Sequence, residues 1–380
     1  MKGKLVVISH TEHYHNEKGD VVGWGPTVRE LNYLSNHFSS ITHIATLHDK
    51  PSPNSSQGYS SQNIKFIALQ PFGGHSIFAK LRILSRAIHV IRLVHQEVKD
   101  AEYVQLRTPT GIAAFLLCYF ALTKNKRKYT FWVKYAGNWN QTNPPLGYRF
   151  QRWFLKRNFC DCKVTINGKW PNQPEHCISF ENPCLTQEQI QHGRSIASKK
   201  TFKSPYHFIF IGRIEEAKGV DRILNAIEVL DKSRVASVTF IGDGPNKEKY
   251  QERAKNINTD IRFLGGLDNE SVHQQLEQAD FLLLPSNSEG FPKVIAEAAC
   301  YGVIPVVSDV GSIGHYINEE NGYVCKIEII DSELSRKLQE AIKVEPHDLS
   351  EKSQNLRVVA IKFSFDEYRN SLDKYIFLNG

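Results

Sequence analysis

The stretch PSNSEGFPKVIAEAACYGVIPVV, residues 285–307, sets two acids, Glu289 and Glu297, eight positions apart in an otherwise apolar run. Pro292 suits the first position of a helix, where its missing N–H is not needed, and Gly302 suits the position just past the end. The pattern reads as strand, loop, helix over 292–301, then strand, with Glu289 in the loop before the helix. Free N–H groups and the positive dipole end there favour a carboxylate or a bound anion. In open α/β sheets, ligands sit outside the carboxyl ends of the strands, where this loop must lie. Two plainer readings stand beside that one. Glu297 could be a solvated partner of Lys293, four residues earlier, and Glu289 a loop acid that compensates the dipole.

Upstream, FIGRIEEAKGVDRIL (210–224) ends a buried strand at Gly212 and places Arg213 and Lys218 in the short loop before the next helix. Two cations at the carboxyl end of a strand suit a diphosphate: planar Arg binds oxygens in pairs, and Lys acts as a point charge. The alternative is a solvated loop in which both pair with Glu215 and Glu216. IGDGP (241–245) adds Gly242 and Gly244 after the next strand. It falls short of Gly-x-Gly-x-x-Gly, yet it lets backbone approach a ligand on the same edge.

Working outward, the same rhythm fills the chain. Strands near 4–9, 41–47, 64–69, 103–107, 128–135, 162–167 and 177–182 alternate with helices near 26–38, 78–99, 111–122 and 147–159. It restarts with strands near 207–214, 237–244, 261–266, 281–286 and 304–309 between helices of similar length. Nearly continuous apolar strands separated by helices indicate α/β, doubly wound parallel sheets. A chain of 380 residues also exceeds one hydrophobic core. Two Rossmann-like domains are expected, over 1–185 and 205–363, with a polar linker at 186–204. The stripe Phe365, Tyr368, Leu372, Tyr375 and Ile376 in a C-terminal helix over 364–380 needs a surface to pack on.

Composition is that of an ordinary soluble globular protein, 41% hydrophobic and 23% charged. Seven irregularly spaced cysteines argue for a reducing compartment. Cys160, Cys162, Cys177 and Cys184 read as unrelated buried thiols, with a structural zinc site as the alternative. The apolar run near the N-terminus is too short for a signal peptide, and GIAAFLLCYFAL (111–122) is too short to cross a bilayer. A net charge of +7 fits nucleic acid, anionic lipid or phosphorylated ligands. No nucleic-acid motif accompanies it, so nucleic acid is not expected as a partner. Basic and aromatic residues mix in 80–96, in KNKRK (124–128) and in YRFQRWFLKRNF (148–159). This suits an anionic membrane surface, unless Phe150, Trp153, Phe154 and Phe159 are core.

Taken in order, GRIEEAKG, IGDGP, FLGGL, EQADFLLLPSNSEGFPKVIAEAACYGVIPVVSDVG and ENGYV resemble the large family 4 of nucleotide-sugar glycosyltransferases. GWGPTVRELNYL, after the first strand, matches that family in outline. The resemblance implies the GT-B fold, two Rossmann-like domains facing a cleft. It further implies an acceptor-binding N-terminal domain joined by the last helix, and a nucleotide-sugar-binding C-terminal domain. The implied activity is retaining transfer of a hexose-type sugar from a nucleoside diphosphate donor, UDP before GDP, without metal or other cofactor. The acceptor would be a glycan or lipid-linked sugar in bacterial cell-surface polysaccharide synthesis, in the cytoplasm or at the inner face of the membrane.

Carried over by motif, Glu289 would face the donor sugar and Glu297 the ribose. Arg213 and Lys218 would neutralise the departing diphosphate. Gly212, Gly242, Gly244 and the backbone of Gly290, Phe291, Pro292 and Lys293 would line the nucleotide sugar. Gly23, Trp24 and Gly25 would form an acceptor or phosphate loop. Tyr135, Gly137 and Asn138 stand where the family carries a histidine on the sugar, and His10, His13 and His15 read as a polar surface loop. A nucleotide-sugar epimerase or hydrolase and a non-catalytic sugar-nucleotide-binding protein are the competing readings.

Overall fold

The computed structural model describes residues 2–71 and 77–377, and statements of absence below concern these. Of the basic-aromatic segment 80–96, the side chains of 80–85 lie outside the described residues, as do 378–380 of the last helix. The chain forms two compact units, Met1–Phe180 with Arg369–Gly380, and Glu181–Tyr368.

The first unit is built on one sheet of β1 (Lys2–His15), β2 (Val21–Trp24), β3 (Phe38–Leu47), β4 (Ser56–Gly58), β5 (Ile64–Leu69), β6 (Tyr103–Thr108), β7 (Thr130–Tyr135), β8 (Lys163–Ile166) and β9 (Cys177–Ser179). Seven of these run parallel in the order β5-β3-β1-β6-β7-β8-β9. The helices α1 (Gly25–Ser35), α2 (Ile77–Glu97), α3 (Gly111–Thr123) and α4 (Leu146–Lys156) connect them. Leu5–Ile8, wholly buried, occupy the centre, as a strand covered on both faces requires.

The start of the chain departs from expectation. The first strand continues past Ser9 to His15 and turns back antiparallel through β2, which pairs in turn with β4. Gly23 and Trp24 therefore lie in a strand, and Gly25 opens α1. His13 is buried rather than part of a surface loop; its ring meets Phe66 at 4.4 Å, while His10 and His15 are exposed. The segment Thr11–His15 is polar, and His13 and Tyr14 are its two buried side chains; His13 is seated by a 2.7 Å hydrogen bond to Tyr59 and by the Phe66 ring.

The second unit holds β10 (Tyr206–Ile211), β11 (Val235–Ile241), β12 (Ile261–Gly265), β13 (Phe281–Leu284), β14 (Ile304–Ser308) and β15 (Tyr323–Cys325), all parallel in the order β12-β11-β10-β13-β14-β15. Its first helices are α5 (Gln187–Ala197), α6 (Val220–Glu228), α7 (Lys247–Ala254), α8 (Asn269–Gln278) and α9 (Lys293–Cys300). Residues 186–204, read as a linker, contain α5 and belong to this unit. Thr186 and Gln189 close a reciprocal capping box at its start. Gly193 sits so close to α9 that a β-carbon there would come within 2.5 Å of Cys300 Sγ. Helix α9 begins one residue later than expected, with Pro292 as its cap.

Four of the five residues of the C-terminal stripe pack inward; Tyr375 is half-buried, in a wider π-helical turn over Asp373–Phe377 that follows the α-helix. Phe365, Tyr368, Leu372 and Ile376 are buried, and Phe377 packs edge-on against Phe38, Tyr103 and Trp132 of the first unit. The four grouped cysteines are buried thiols: burial pushes Cys177 up to about 12, and Cys184 bonds the Lys293 carbonyl. They do not form a metal-sized cluster; exposed His347, Asp348 and Glu351 do come together at that scale. No described helix is long and apolar enough to cross a membrane.

Candidate functional site

In the second unit the sheet order reverses between β10 and β13. Connections from these two strands leave in opposite directions, so a crevice opens at their carboxyl ends. The loops lining it are Gly212–Gly219 and Pro285–Pro292, the two segments the sequence singles out. The Asn287 N–H donates to the Ala217 carbonyl at 2.9 Å and joins the loops. Gly219 has φ +75°, and a β-carbon there would stand 2.3 Å from the Pro285 carbonyl oxygen, so only glycine permits the approach. Arg222, from the first turn of α6, donates to the Pro285 carbonyl at 3.0 Å and to Asn287 Oδ1 at 2.6 Å.

This lacing brings Lys218 Nζ to 2.5 Å from Glu289 Oε1, a half-buried ion pair across the point of reversal. Beyond it, the N–H groups of Glu289, Gly290 and Phe291 donate to no described acceptor. They precede α9, whose first N–H groups carry the positive end of its dipole. Ser286, fully buried in the loop just past β13, has a hydroxyl with no described partner. The loop after β14 braces the arrangement: Ser312 bonds the Gly290 carbonyl through N–H (2.9 Å) and hydroxyl (3.0 Å), and Ser308 Oγ donates to Ser286 O at 2.6 Å. Unengaged donors beside a cation on a braced edge can take an anion or the oxygens of a sugar.

The remaining candidates divide. Arg213 is on the same loop as Lys218 but points outward, its side chain 65% exposed and paired with Glu215 at 3.0 Å. Gly212 and Gly242 form a tight crossing: Gly242 has φ +132°, and a β-carbon would strike the Gly212 carbonyl. Gly244 approaches the Ile214 carbonyl in the same way. Glu297 is buried on α9, and burial with its charge raises the Cys300 thiol to about 12. Lys293 donates to the Pro183 carbonyl at 2.7 Å. The Phe291 ring is committed to packing, stacked on Phe363 at 4.2 Å and edge-on to Tyr316, so its N–H is what it offers a ligand.

In the first unit, the glycines of the expected acceptor or phosphate loop have structural work. A β-carbon on Gly23 would enter the His13 ring, and one on Gly25 would meet the Ser55 carbonyl. Trp24 between them is exposed. Tyr135 is buried against Trp139, its phenol pushed up to about 12 by burial. A cluster that sequence reading missed lies at the same strand ends. Lys134 donates to both oxygens of buried Glu30 at 2.8 Å, and Arg107 Nη2 reaches Oε1 at 2.9 Å. A lysine in the apolar strand TFWVKY was the available signal, since a buried ammonium needs a partner.

Residues 193–358 match the family model described as Glycosyl transferases group 1. Among curated relatives, the putative teichuronic acid biosynthesis glycosyltransferase TuaC of Bacillus subtilis is 31% identical over 118 residues, 31% of this chain and 28% of its own. A Campylobacter jejuni α-1,4-N-acetyl-D-galactosaminyltransferase, named for an undecaprenyl-diphosphate-linked glycan acceptor, is 25% identical over 64% of this chain and 66% of its own. The chain spans about a third of the length of the first curated relatives it matches. Anabaena HepE, solved in complex with UDP and glucose, superposes with a TM-score of 0.66 over 98% of both chains at 13% identity. That likeness, with two parallel Rossmann-like sheets, establishes the expected GT-B fold.

Proposed function

We propose that the chain is a retaining, metal-independent glycosyltransferase. It moves a hexose-type sugar from a UDP-sugar to a glycan or lipid-linked acceptor, in bacterial cell-surface polysaccharide synthesis at the inner face of the membrane. The supporting observation is the Lys218–Glu289 pair at the reversal of the second sheet, beside three unengaged N–H groups. Lys218 and Arg213 would meet the diphosphate as its negative charge grows on departure. Glu289 would hold the sugar hydroxyls and stabilise positive charge at the anomeric carbon. Glu297 would take the ribose hydroxyls. Preorganised charge of this kind is worth about 3–4 kcal/mol per donor. The leaving phosphate itself would accept the acceptor's proton. UDP takes support from the HepE complex, a lipid-linked acceptor from the name of the Campylobacter enzyme, and cell-surface polysaccharide synthesis from the putative assignment of TuaC, each said of its own protein.

A thermal-shift screen with UDP-, GDP- and ADP-sugars tests the donor. A nucleotide at a hundredfold excess over its dissociation constant stabilises the fold by about 2.7 kcal/mol. The expected result is a response to a UDP-sugar, unchanged by EDTA, followed by transfer with the donor's anomeric configuration retained. Conversion of the nucleotide sugar without any acceptor would replace this reading with an epimerase or hydrolase.

A further inference from the structure

From Glu102 to Asp161 the chain carries no intervening acid, while ten lysines and arginines fall between them. Part of this excess is internal: Lys134 and Arg107 bind Glu30, and Arg152 is bound to the carbonyls of Trp139 and Gln141. The rest lies on one exposed region of the first unit. Gln151 of α4 exchanges hydrogen bonds with the Thr110 backbone at the start of α3, at 2.8 and 3.2 Å. At the other end Arg127 donates to the Cys160 carbonyl at 2.7 Å. These bonds set α3, α4 and the basic turn 124–128 side by side. Lys124, Lys126, Lys128, Arg149, Lys156 and Arg157 are exposed there, with no described acid between Glu102 and Asp161 to pair them.

Large apolar side chains stand among those cations. Leu122 is 86% exposed, Leu146 82% and Trp153 49%, and Phe150 and Phe159 are exposed as well. Of the two readings the sequence leaves open for this segment, the core one fails for Phe150, Trp153 and Phe159 and holds for Phe154, which is buried. Trp153 and Phe159 lie with ring centroids 5.3 Å apart, and Leu146, Phe150 and Trp153 follow a helical spacing along one side of α4. An aromatic ridge edged by exposed cations, of which Lys156 also stands over the Trp139 ring at 5.7 Å, matches a layer that is anionic outside and apolar beneath.

We propose that this surface, α4 with Phe159, Leu122 and the turn 124–128, docks on the headgroup layer of an anionic lipid bilayer. The inference takes its purpose from the membrane setting of the proposed reaction. Its test reads binding alone, so it fails or holds whether or not the chain transfers sugar. The protein is sedimented with vesicles of phosphatidylcholine, with and without phosphatidylglycerol. Binding to the anionic vesicles is expected, lost in high salt. R149A/K156A should weaken it about 30-fold, at roughly a factor of five per cation. F150S/W153S should weaken it while leaving the melting temperature close to the parent's, and R149K/K156R should restore it if charge is what matters. Equal binding to neutral vesicles, or anionic binding untouched by both double variants, overturns the proposal. So does an absence of vesicle binding, including the case in which the chain self-associates through this face.

Discussion

The two units share the central strand order of a Rossmann sheet, and they treat the carboxyl ends of their strands in opposite ways. In the first, charged groups there are spent on one another. Glu30 holds Lys134 and Arg107, and Ser9, His43, Tyr59 and His13 continue in a chain of hydrogen bonds of 2.6–2.8 Å. In the second, the loops are braced from behind while Lys218, Glu289 and a row of N–H groups remain half open. Buried polar groups that satisfy one another stabilise a unit and leave little for a ligand. Unengaged groups held by a rigid frame do the reverse, because their orientation is settled before anything binds. Similar residue types therefore serve structure in one sheet and, on the proposed reading, chemistry in the other.

The sharpest attempt to break this contrast is Glu30→Ala. Removing the shared carboxylate leaves two cations in a buried site and should cost about 3–5 kcal/mol in urea unfolding. If stability is untouched while transfer disappears, the first unit's network belongs to the site and the contrast is wrong. Next come Glu289→Ala and Lys218→Ala. Each should lower turnover about a hundred- to a thousandfold, with the unfolding midpoint close to the parent's. A large loss of stability in either would make the pair structural, like Glu30.

A third measurement uses pH. Burial lowers His13 to about 4, and His43 is also well below its ordinary value for the same reason. Between pH 6.5 and about 4 the unfolded chain binds the His13 proton and the folded chain does not, so stability falls as pH drops through that window. For His13 alone the loss is about 3 kcal/mol. His13→Gln should flatten the slope in equilibrium unfolding across this range, and an unaltered slope would show that the histidine titrates freely. Smallest is Glu215→Gln, which releases the half-buried partner of exposed Arg213, a pair worth about 0.2–1 kcal/mol. Donor affinity should rise severalfold at most, read by titration with UDP-sugar, and a fall would exclude Arg213 from the diphosphate.

What the sequence disclosed follows from where the physics is local. Strands such as FIFI (208–211) and FLLL (281–284) are apolar because both faces are covered, so the loops after them could be placed, and Lys218 and Glu289 with them. That those two loops touch was not legible, because it depends on strand order and on the approach of Gly219 to Pro285, contacts between residues far apart in the chain. The β1–β2 hairpin was missed because TEHYH is polar overall, and its buried half rests on Tyr59 and Phe66, which sequence distance hides. Helix α5 carried a visible signature in Thr186 and Gln189, outweighed by the polarity of the segment around it. Whether Phe150 and Trp153 face the core or the surface was not legible, because aromatic residues at helical spacing among cations suit either a buried face or a membrane-facing one.

The Lys218–Glu289 contact bears on how a turnover would end. An incoming diphosphate must draw the ammonium away from its carboxylate, and once the sugar has left, that carboxylate stands ready to reclaim it. The enzyme would thus hold an internal competitor for its own spent nucleotide, weakening the grip on UDP at the moment release is needed. In Glu289→Gln the competitor is neutral, so free UDP should bind more tightly even as catalysis fails; unchanged or weaker UDP binding there would show that the carboxylate has no part in expelling the product.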